Sequence, residues 1–339
     1  FVRTAAPPVA PKKAAGAGPG GGAAGVVEAG AAPVGGAAGG VSGGEAAGAA
    51  PGGEATGGVS GGEAGEAGGA FEAVVAPGGG VLYAKFYGSP SCFDALVGEV
   101  VAPLARAAQA AGSVREWFFV RYRDSDHHLR ARFFGERSRL WAEVLPGLHD
   151  AARPLLASGR VFRLQVDSYE REVERYGGPA GVRLAERLFH ADSEACADLL
   201  GHVDDEDLRW RAAALGVDAL LADFGLDPEA RGAFARRSAD SLAREFGADE
   251  GEGRRALDAK ARELVGVAEA LLRGDDGGLP GEVREALGRR SRANAPLVAA
   301  LRAARARGEV TGDEASQLWS YAHMHANRVF SSSARAQEM

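Results

Sequence analysis

The sequence is poor in the residues that build metal centres and disulfide frameworks, with two cysteines and seven histidines among 339 residues. Cys92 and Cys196 lie far apart and lack metal-binding spacing, so we expect reduced thiols. His323 and His325 are two residues apart in a predicted helix, which turns their side chains about 200° from each other. We therefore expect no metal site and no cofactor.

The sequence also lacks a long apolar run and an excess of positive charge. No run approaches the ~18 apolar residues of a membrane span, and residues 1–10 do not resemble a signal peptide. The formal net charge is −7, whereas proteins that grip a phosphate backbone normally carry a basic stripe. We therefore expect a cytoplasmic protein that contacts neither a membrane nor nucleic acid directly.

Composition divides the chain into a Gly/Ala-rich N-terminal part and a folded remainder. Residues 1–80 hold 26 of the 50 glycines, and such a segment cannot bury enough apolar area to offset the entropy of ordering. We predict a disordered linker or tail over residues 1–80, one domain over residues 81–330 and a short polar tail over residues 331–339. Because the chain begins with Phe1, one interpretation is that it forms the C-terminal piece of a longer protein.

Periodicity predicts early strands followed by a run of helices. The predicted strands cover residues 81–87, 117–122, 128–133 and 161–169, with helices over 93–111 and 137–158 between them. Further helices are predicted over residues 181–201, 205–224, 228–246, 252–273, 281–308 and 312–329. This order indicates an α+β fold, in which a small mixed or antiparallel sheet packs with a predominantly helical C-terminal half.

The most informative stretch is a predicted hairpin over residues 116–135. Side chains of a strand alternate between its faces, so His128, Arg130 and Arg132 share the face opposite to the apolar residues of their strand. Burying such cations is costly unless an anion lies beside them. The pattern therefore fits either an anion-binding site or an edge strand with solvated arginines.

Four collinear motifs carry a family resemblance across residues 81–330. They read LYAKFYG at 82–88, FFVRYRD and HLRARF at 118–133, DSYEREVERYGG at 167–178 with LFHADS at 188–193, and HMHANR at 323–328. These motifs resemble the C-terminal domain of lantibiotic dehydratases, a family that includes standalone thiopeptide-type bacteriocin biosynthesis proteins. The chain departs from the family at its end, since relatives usually continue past the last motif with a further helix.

The resemblance implies an elimination reaction. In this family, an upstream domain uses glutamyl-tRNA to glutamylate Ser or Thr of a precursor peptide, and the C-terminal domain then removes glutamate to leave dehydroalanine or dehydrobutyrine. The implied partners are a precursor peptide and a glutamylating domain or protein, fused or separate. By motif position, the family's elimination residues fall on Arg130, Arg132, Arg171 and His323. Substrate-binding positions are Arg121, Tyr122, Arg175, Asn327 and Arg328. A supporting or structural role is favoured for Tyr122, Asn327 and Arg328.

The residue types fit this chemistry. Fixed guanidiniums bind carboxylates and stabilise anionic transition states, and a histidine can move a proton near neutral pH. The residues alone are also compatible with purely structural roles: Arg171 and Arg175 could form an ion-paired helix face, and His323 could be a core histidine. Two other functions are also open, namely a thiopeptide pyridine synthase that joins two dehydroalanines by cycloaddition, and a non-catalytic protein that binds the precursor peptide.

Overall fold

The computed structural model describes residues 71–331, apart from residues 246, 274, 276 and 277 and the side chains of 271 and 272. The linker predicted over residues 1–70 and the tail from residue 332 onward lie outside the described residues.

The main sheet is antiparallel and has four strands in the order β3-β4-β2-β5. Its strands are β2 (Val81–Gly88), β3 (Glu116–Arg123), β4 (His127–Phe134) and β5 (Val161–Val166). The hairpin formed by β3 and β4 pairs Phe118 with Arg132, and the β2–β4 ladder pairs Tyr83 with the same arginine. The strands predicted over residues 81–87, 117–122 and 128–133 are therefore confirmed, and two aromatic neighbours flank Arg132 in the sheet.

Helices make up most of the remaining described chain. Between the strands, α1 consists of Phe93–Leu96, then a π-helical turn at Val97–Val101, then Ala102–Ala110. In the same way, α2 consists of Arg137–Arg139, then a π-helical turn at Leu140–Val144, then Leu145–Ala157. The C-terminal half contains α3 (Pro179–Leu199), α4 (Glu206–Asp223), α5 (Pro228–Glu245), α6 (Gly251–Leu272), α7 (Gly281–Ala306) and α8 (Glu314–Val329). The predicted α+β fold is confirmed. Within the described residues, no helix has the length and apolar character needed to cross a bilayer.

A second, two-stranded sheet corrects the predicted start of the folded part. Its strands β1 (Val74–Val75) and β6 (Tyr169–Glu170) are antiparallel, and Val75 is 3% exposed. Residues 71–80, which composition assigned to the linker, thus belong to the folded body. The strand predicted over residues 161–169 also divides, because β5 ends at Val166 and Tyr169 pairs with β1 instead.

The segment after β6 is not helical. Residues 173–177 form turns, and the amide of Gly178 donates to the carbonyl of Val173 at 2.9 Å. The alternative interpretation, in which Arg171 and Arg175 form an ion-paired face of one helix, is therefore wrong. Gly177 and Gly178 have φ values of 81° and 109°, a region that suits glycine, and they direct the chain into α3.

The two faces of the main sheet pack against different helices. One face contributes Phe86, Phe119 and Phe133 to a core that includes residues of α1 and α2. The opposite face contributes Tyr83 and Phe118 to a second core, which includes residues of α3 and α8. The alternation predicted for β4 is confirmed, and it places Arg132 on the face of the second core.

Candidate active site

Arg132 is a buried cation surrounded by aromatic rings. Its Cζ lies 4.5 Å from the ring centroid of Tyr83, 5.0 Å from that of Phe118 and 4.9 Å from that of Tyr169. The residue is 8% exposed, and its Nε and Nη1 atoms are buried without a hydrogen-bond partner. Burial lowers the pKa of Arg132, but a guanidinium remains charged at neutral pH. Rings hold this cation in place while two of its donor atoms remain available.

Arg171 lies beside the same tyrosine ring and is ion-paired. Its Cζ is 5.6 Å from the Tyr169 centroid, and its Nε donates to Oε1 of Glu186 on α3 at 2.8 Å, with both side chains 5% exposed. Burial raises the pKa of Glu186, against the effects of Arg171, the Tyr169 hydroxyl and Arg132. Glu186 therefore neutralises Arg171, whereas Arg132 forms no ion pair among the described residues, and one positive charge is left in excess.

Arg130 continues the line of cations toward solvent. It lies two residues before Arg132 on the same face of β4, its Cζ is 3.4 Å from the ring centroid of Tyr122, and its side chain is 19% exposed. Its Nε donates to Nε2 of His128 at 3.0 Å. Burial lowers the pKa of His128, so a neutral ring accepts this bond. We call Arg130, Arg132 and Arg171 the arginine row.

A lysine–aspartate pair flanks the arginine row, and sequence reasoning missed it. Lys85 is paired with Arg130 across the β2–β4 ladder, and its Nζ lies 2.6 Å from Oδ2 of Asp167. The same Nζ is 5.4 Å from the ring centroid of Tyr83, the ring that also contacts Arg132. The alternation of Tyr83 and Lys85 along β2 was the available signal, since it places both on the face of the arginine row.

His323 lies on α8 and is half-buried. Its ring stacks on that of Trp319, with centroids 5.2 Å apart and planes inclined by 2°. One helical turn, about 5.4 Å, separates His323 from Asn327, whose side chain is hydrogen-bonded to β3. The structure therefore places His323 near the β3 edge of the sheet. Its approach to the arginine row stays a prediction.

Arg121, Asn327 and Arg328, predicted to contact substrate, join α8 to β3. Asn327 Oδ1 accepts from the Arg121 amide at 2.9 Å, and its Nδ2 donates to the Arg121 carbonyl at 2.8 Å. Arg328 Nε donates to the carbonyl of Phe119 at 2.9 Å, and Arg121 Nε donates to the carbonyl of Arg328 at 3.1 Å. These hydrogen bonds give the three residues a structural role, and their contact with substrate stays a prediction.

The two remaining predicted substrate contacts are exposed. Tyr122 is 43% exposed and supports the guanidinium of Arg130. Arg175 lies in the turn before α3, forms an ion pair with Glu172, and has a side chain that is 47% exposed. Tyr122 therefore lies next to the arginine row, whereas no described contact connects Arg175 to it.

A separate buried network joins α3, α7 and α8. Asp192 lies 2.7 Å from Nδ1 of His325 and accepts hydrogen bonds from Arg290 at 2.8 Å and Arg328 at 2.9 Å. The candidate ligand atoms of Asp192, Cys196 and His325 lie within 4.8 Å of one another, a grouping that sequence spacing had not predicted. Two guanidiniums already neutralise the carboxylate and would repel a metal cation. We therefore interpret this group as an ion-pair network.

The geometry of the arginine row is suited to binding an anion. A desolvated guanidinium forms strong, bidentate hydrogen bonds with a carboxylate. Fixed donors in a water-poor site also stabilise negative charge that develops during a reaction. The excess positive charge and the two available donors of Arg132 thus fit a substrate that carries, or releases, a carboxylate.

Comparison with known proteins gives a consistent result. The family model described as lantibiotic biosynthesis dehydratase C-term matches residues 82–339. The subtilin biosynthesis protein SpaB of Bacillus subtilis is 30% identical over 168 residues, which cover 49% of this chain and 16% of SpaB. The nisin biosynthesis protein NisB of Lactococcus lactis subsp. lactis is 30% identical over 101 residues, which cover 30% of this chain and 10% of NisB. The match thus spans less than one fifth of each curated relative.

Solved structures share the fold. The tRNA-dependent lantibiotic dehydratase MibB from Microbispora sp. 107891 matches with a TM-score of 0.58 and 27% identity, over 77% of this chain and 27% of MibB. TsrL matches with a TM-score of 0.56 and 20% identity, over 76% of this chain and 91% of its own. The pyridine synthase TbtD from thiomuracin biosynthesis matches with a TM-score of 0.55 and 19% identity, over 77% of this chain and 95% of its own. At these identities, the last two matches show the fold alone.

Proposed function

Because this chain belongs to the lantibiotic biosynthesis dehydratase C-terminal family, we propose that it eliminates glutamate from glutamylated Ser or Thr residues of a precursor peptide. Family membership and the two curated relatives support a role in the biosynthesis of lanthipeptide- or thiopeptide-type peptides. In this proposal, a glutamylating domain or protein acts first, and the present chain acts second. The product is a dehydroalanine or dehydrobutyrine residue.

The proposed reaction is a β-elimination. A base removes the Cα proton of the modified residue, and the electron pair of that C–H bond forms the Cα=Cβ double bond. The Cβ–O ester bond breaks, and its electron pair leaves on the carboxylate of glutamate. Negative charge therefore develops at two places, the enolate-like centre and the departing carboxylate. Fixed cations accelerate the reaction because they stabilise the charge at both places.

The buried, unpaired guanidinium of Arg132 is the observation that carries this proposal. Leaving a charged donor buried without a partner costs free energy, and functional sites are where such costs are retained. Among the described residues, Arg132 forms no ion pair, and its Nε and Nη1 atoms have no acceptor. A glutamyl carboxylate would supply the missing charge and both missing acceptors.

The other predicted catalytic residues receive roles that follow from their surroundings. Arg171 is held by Glu186, so it contributes a fixed positive potential beside Arg132. Arg130 is more exposed and receives the glutamyl group as it enters from solvent. His323 moves the proton, because it is a half-buried imidazole in the closing motif on α8 and an imidazole can act as a general acid or base.

The test uses the full chain and a short peptide that carries a chemically attached glutamyl ester on serine. Mass spectrometry should show release of glutamate and formation of dehydroalanine. Arg132→Met should slow release by roughly 10²-fold or more. Arg163→Met is the matched control, because Arg163 stacks on Tyr87 at 3.6 Å, has a side chain that is 48% exposed and lies on the edge strand β5.

Two results would overturn the proposal. If the wild-type chain released no glutamate from the ester but joined two dehydroalanines of a linear peptide, it would be a pyridine synthase. If it did neither and bound the unmodified precursor peptide with unchanged affinity in the Arg132→Met variant, it would be a peptide-binding protein.

A further inference from the structure

Glutamate that comes from an aminoacyl-tRNA is linked through its α-carboxyl group. Transfer to a serine hydroxyl therefore gives an ester whose glutamyl part keeps a free α-ammonium and a free γ-carboxylate. The arginine row suits the carboxylates, but it repels the ammonium, because like charges within a few ångströms cost free energy in a desolvated site. The proposed substrate thus requires an anionic group next to the arginine row.

Asp167 is such a group. It follows β5, its amide donates to the carbonyl of Tyr83 at 3.1 Å, and Tyr83 contacts Arg132 directly. Its Oδ2 accepts from Lys85 at 2.6 Å, and its Oδ1 accepts from the amide of Ser168 at 2.8 Å. The hydrogen bond from Lys85 lowers the pKa of Asp167, so the carboxylate is ionised at neutral pH.

The carboxylate of Asp167 retains capacity for another donor. An ionised carboxylate offers about four lone-pair sites, and the described residues use three of them, one through Gln165 at a long 3.4 Å. The Asp167 side chain is 36% exposed, whereas that of Lys85 is 13% exposed. The anionic member of the pair is therefore the one that faces an incoming ligand.

The other carboxylates near the arginine row do not fit this role. Glu186 is 5% exposed and engaged by Arg171. Asp124 is 44% exposed, but it lies in the β3–β4 turn, where its Oδ1 accepts from the amide of Ser125 at 2.6 Å and its Oδ2 is already paired with Nη2 of Arg130 at 3.9 Å. Asp167 alone of these three is both open to solvent and joined through Tyr83 to Arg132.

We propose that Asp167 binds the α-ammonium group of the glutamyl ester while Arg132 binds a carboxylate of the same group, so that the site selects an amino-acid ester over a simple acyl ester. This inference rests on the proposed elimination activity. It assigns Lys85 as a positioning residue, which holds Asp167 through its Nζ. It also explains why a cationic site contains an open carboxylate.

The test compares two peptide esters, one glutamyl and one glutaryl, which differ only in the α-amino group. Asp167→Asn, which keeps the side-chain shape, should slow elimination from the glutamyl ester by roughly 10-fold, the value of one charge-assisted hydrogen bond. The same variant should leave elimination from the glutaryl ester unchanged. Asp150→Asn is the matched control, because the Asp150 side chain is 73% exposed on α2, and it should leave the ratio of the two rates at its wild-type value.

A second measurement needs no variant. Free glutamate should inhibit the wild-type chain more strongly than glutarate, because glutarate lacks the ammonium group. Equal inhibition by the two acids, or equal slowing of both esters by Asp167→Asn, would overturn the role of Asp167 while leaving the elimination activity established. Absence of release from either ester by the wild-type chain would instead show that the elimination proposal itself is wrong.

Discussion

The guanidinium of Arg132 lies 4.9 Å from the ring centroid of Tyr169, so a residue of the small β1–β6 sheet covers the central cation of the main sheet. The guanidinium of Arg171 lies 5.6 Å from the centroid of the same ring, and burial raises the pKa of the Tyr169 hydroxyl. Tyr169 thus contacts both Arg132, which forms no ion pair among the described residues, and Arg171, which is paired with Glu186. The two arginines should therefore respond differently to substitution.

Arg132→Met should slow elimination by roughly 10²-fold or more without destabilising the protein. The substitution removes a buried charge that has no ion-pair partner among the described residues and fills the space with apolar atoms, so the free-energy cost of burying that charge is removed. Urea unfolding should show a free energy of unfolding no lower than that of the wild type. A loss of several kcal/mol would mean that the contacts with the three rings are structural.

Arg171→Met should destabilise the protein by about 3–5 kcal/mol, because it leaves the carboxylate of Glu186 buried and uncompensated. The double variant Arg171→Met/Glu186→Gln should recover most of this loss, as measured by urea unfolding of the single and double variants. If the single variant were as stable as the wild type, the ion pair would contribute nothing to the fold.

Stability should fall as the pH is lowered through the titration range of His325. Burial lowers the pKa of His325 below its ordinary value of 6.5. Burial would raise the pKa of Asp192, but His325 and two guanidiniums outweigh it and hold that pKa well below 3.8. For groups whose pKa is lower in the folded state, the stabilisation is present above the unfolded-state pKa and is lost on acidification. The free energy of unfolding should therefore decline from about pH 6.5 downward.

The control for this pH dependence is the variant His325→Asn, measured over the same pH range. It should be less stable at neutral pH and should show a shallower decline, because one titrating group has been removed from the network. If the free energy of unfolding declined with pH as steeply as in the wild type, other histidines would account for the loss of stability in acid.

Gly216→Ala should be destabilising even though alanine favours helices. A Cβ atom at Gly216 of α4 would lie 2.0 Å from Nε2 of His325, and His325 is fully buried. Gly266→Ala in α6 is the matched control, since nothing lies within 4 Å of its Cβ position, and it should stabilise by about 0.5–1 kcal/mol. Thermal unfolding of both variants tests this prediction, and equal shifts would contradict the close packing of α4 on α8.

A chain that begins at residue 81 should be less stable than one that begins at residue 71. The shorter chain lacks Val75 in β1 and the carbonyl of Glu72, which accepts a hydrogen bond from Arg171. Thermal unfolding should show a lower midpoint for the shorter chain, and glutamate release should be weakened. Identical midpoints would support the domain boundary between residues 80 and 81 that composition predicted.

The strands of the main sheet could be predicted because alternation of side chains along a strand is a local sequence pattern. Alternation in β4 was enough to place Arg132 opposite the apolar face, and the regular helical pattern gave the positions of the later helices. The sequence could not predict that β5 ends at Val166 and that Tyr169 turns to another sheet. Nothing in the local pattern distinguishes that break from a continuous strand.

The contacts around the candidate site could not be predicted, because they form between residues that lie far apart in the sequence. Glu186 reaches Arg171 from a helix 15 residues further along the chain, and Asp167 meets Lys85 across 82 residues. The motif containing Arg328 indicated an important residue, but only the structure shows that its guanidinium joins α8 to β3 and Asp192. Motif position alone therefore did not reveal the contacts that each of these residues makes.

The outer edge of β3 is occupied by side chains instead of by a further strand. His190 Nδ1 lies 3.0 Å from the carbonyl of Trp117, Ser193 Oγ accepts from the amide of Phe119 at 3.2 Å, and Asn327 binds both backbone groups of Arg121. An uncovered edge is a template for pairing with a foreign strand. Loss of Ser193 or Asn327 should therefore appear first as self-association and aggregation, before any defect in chemistry.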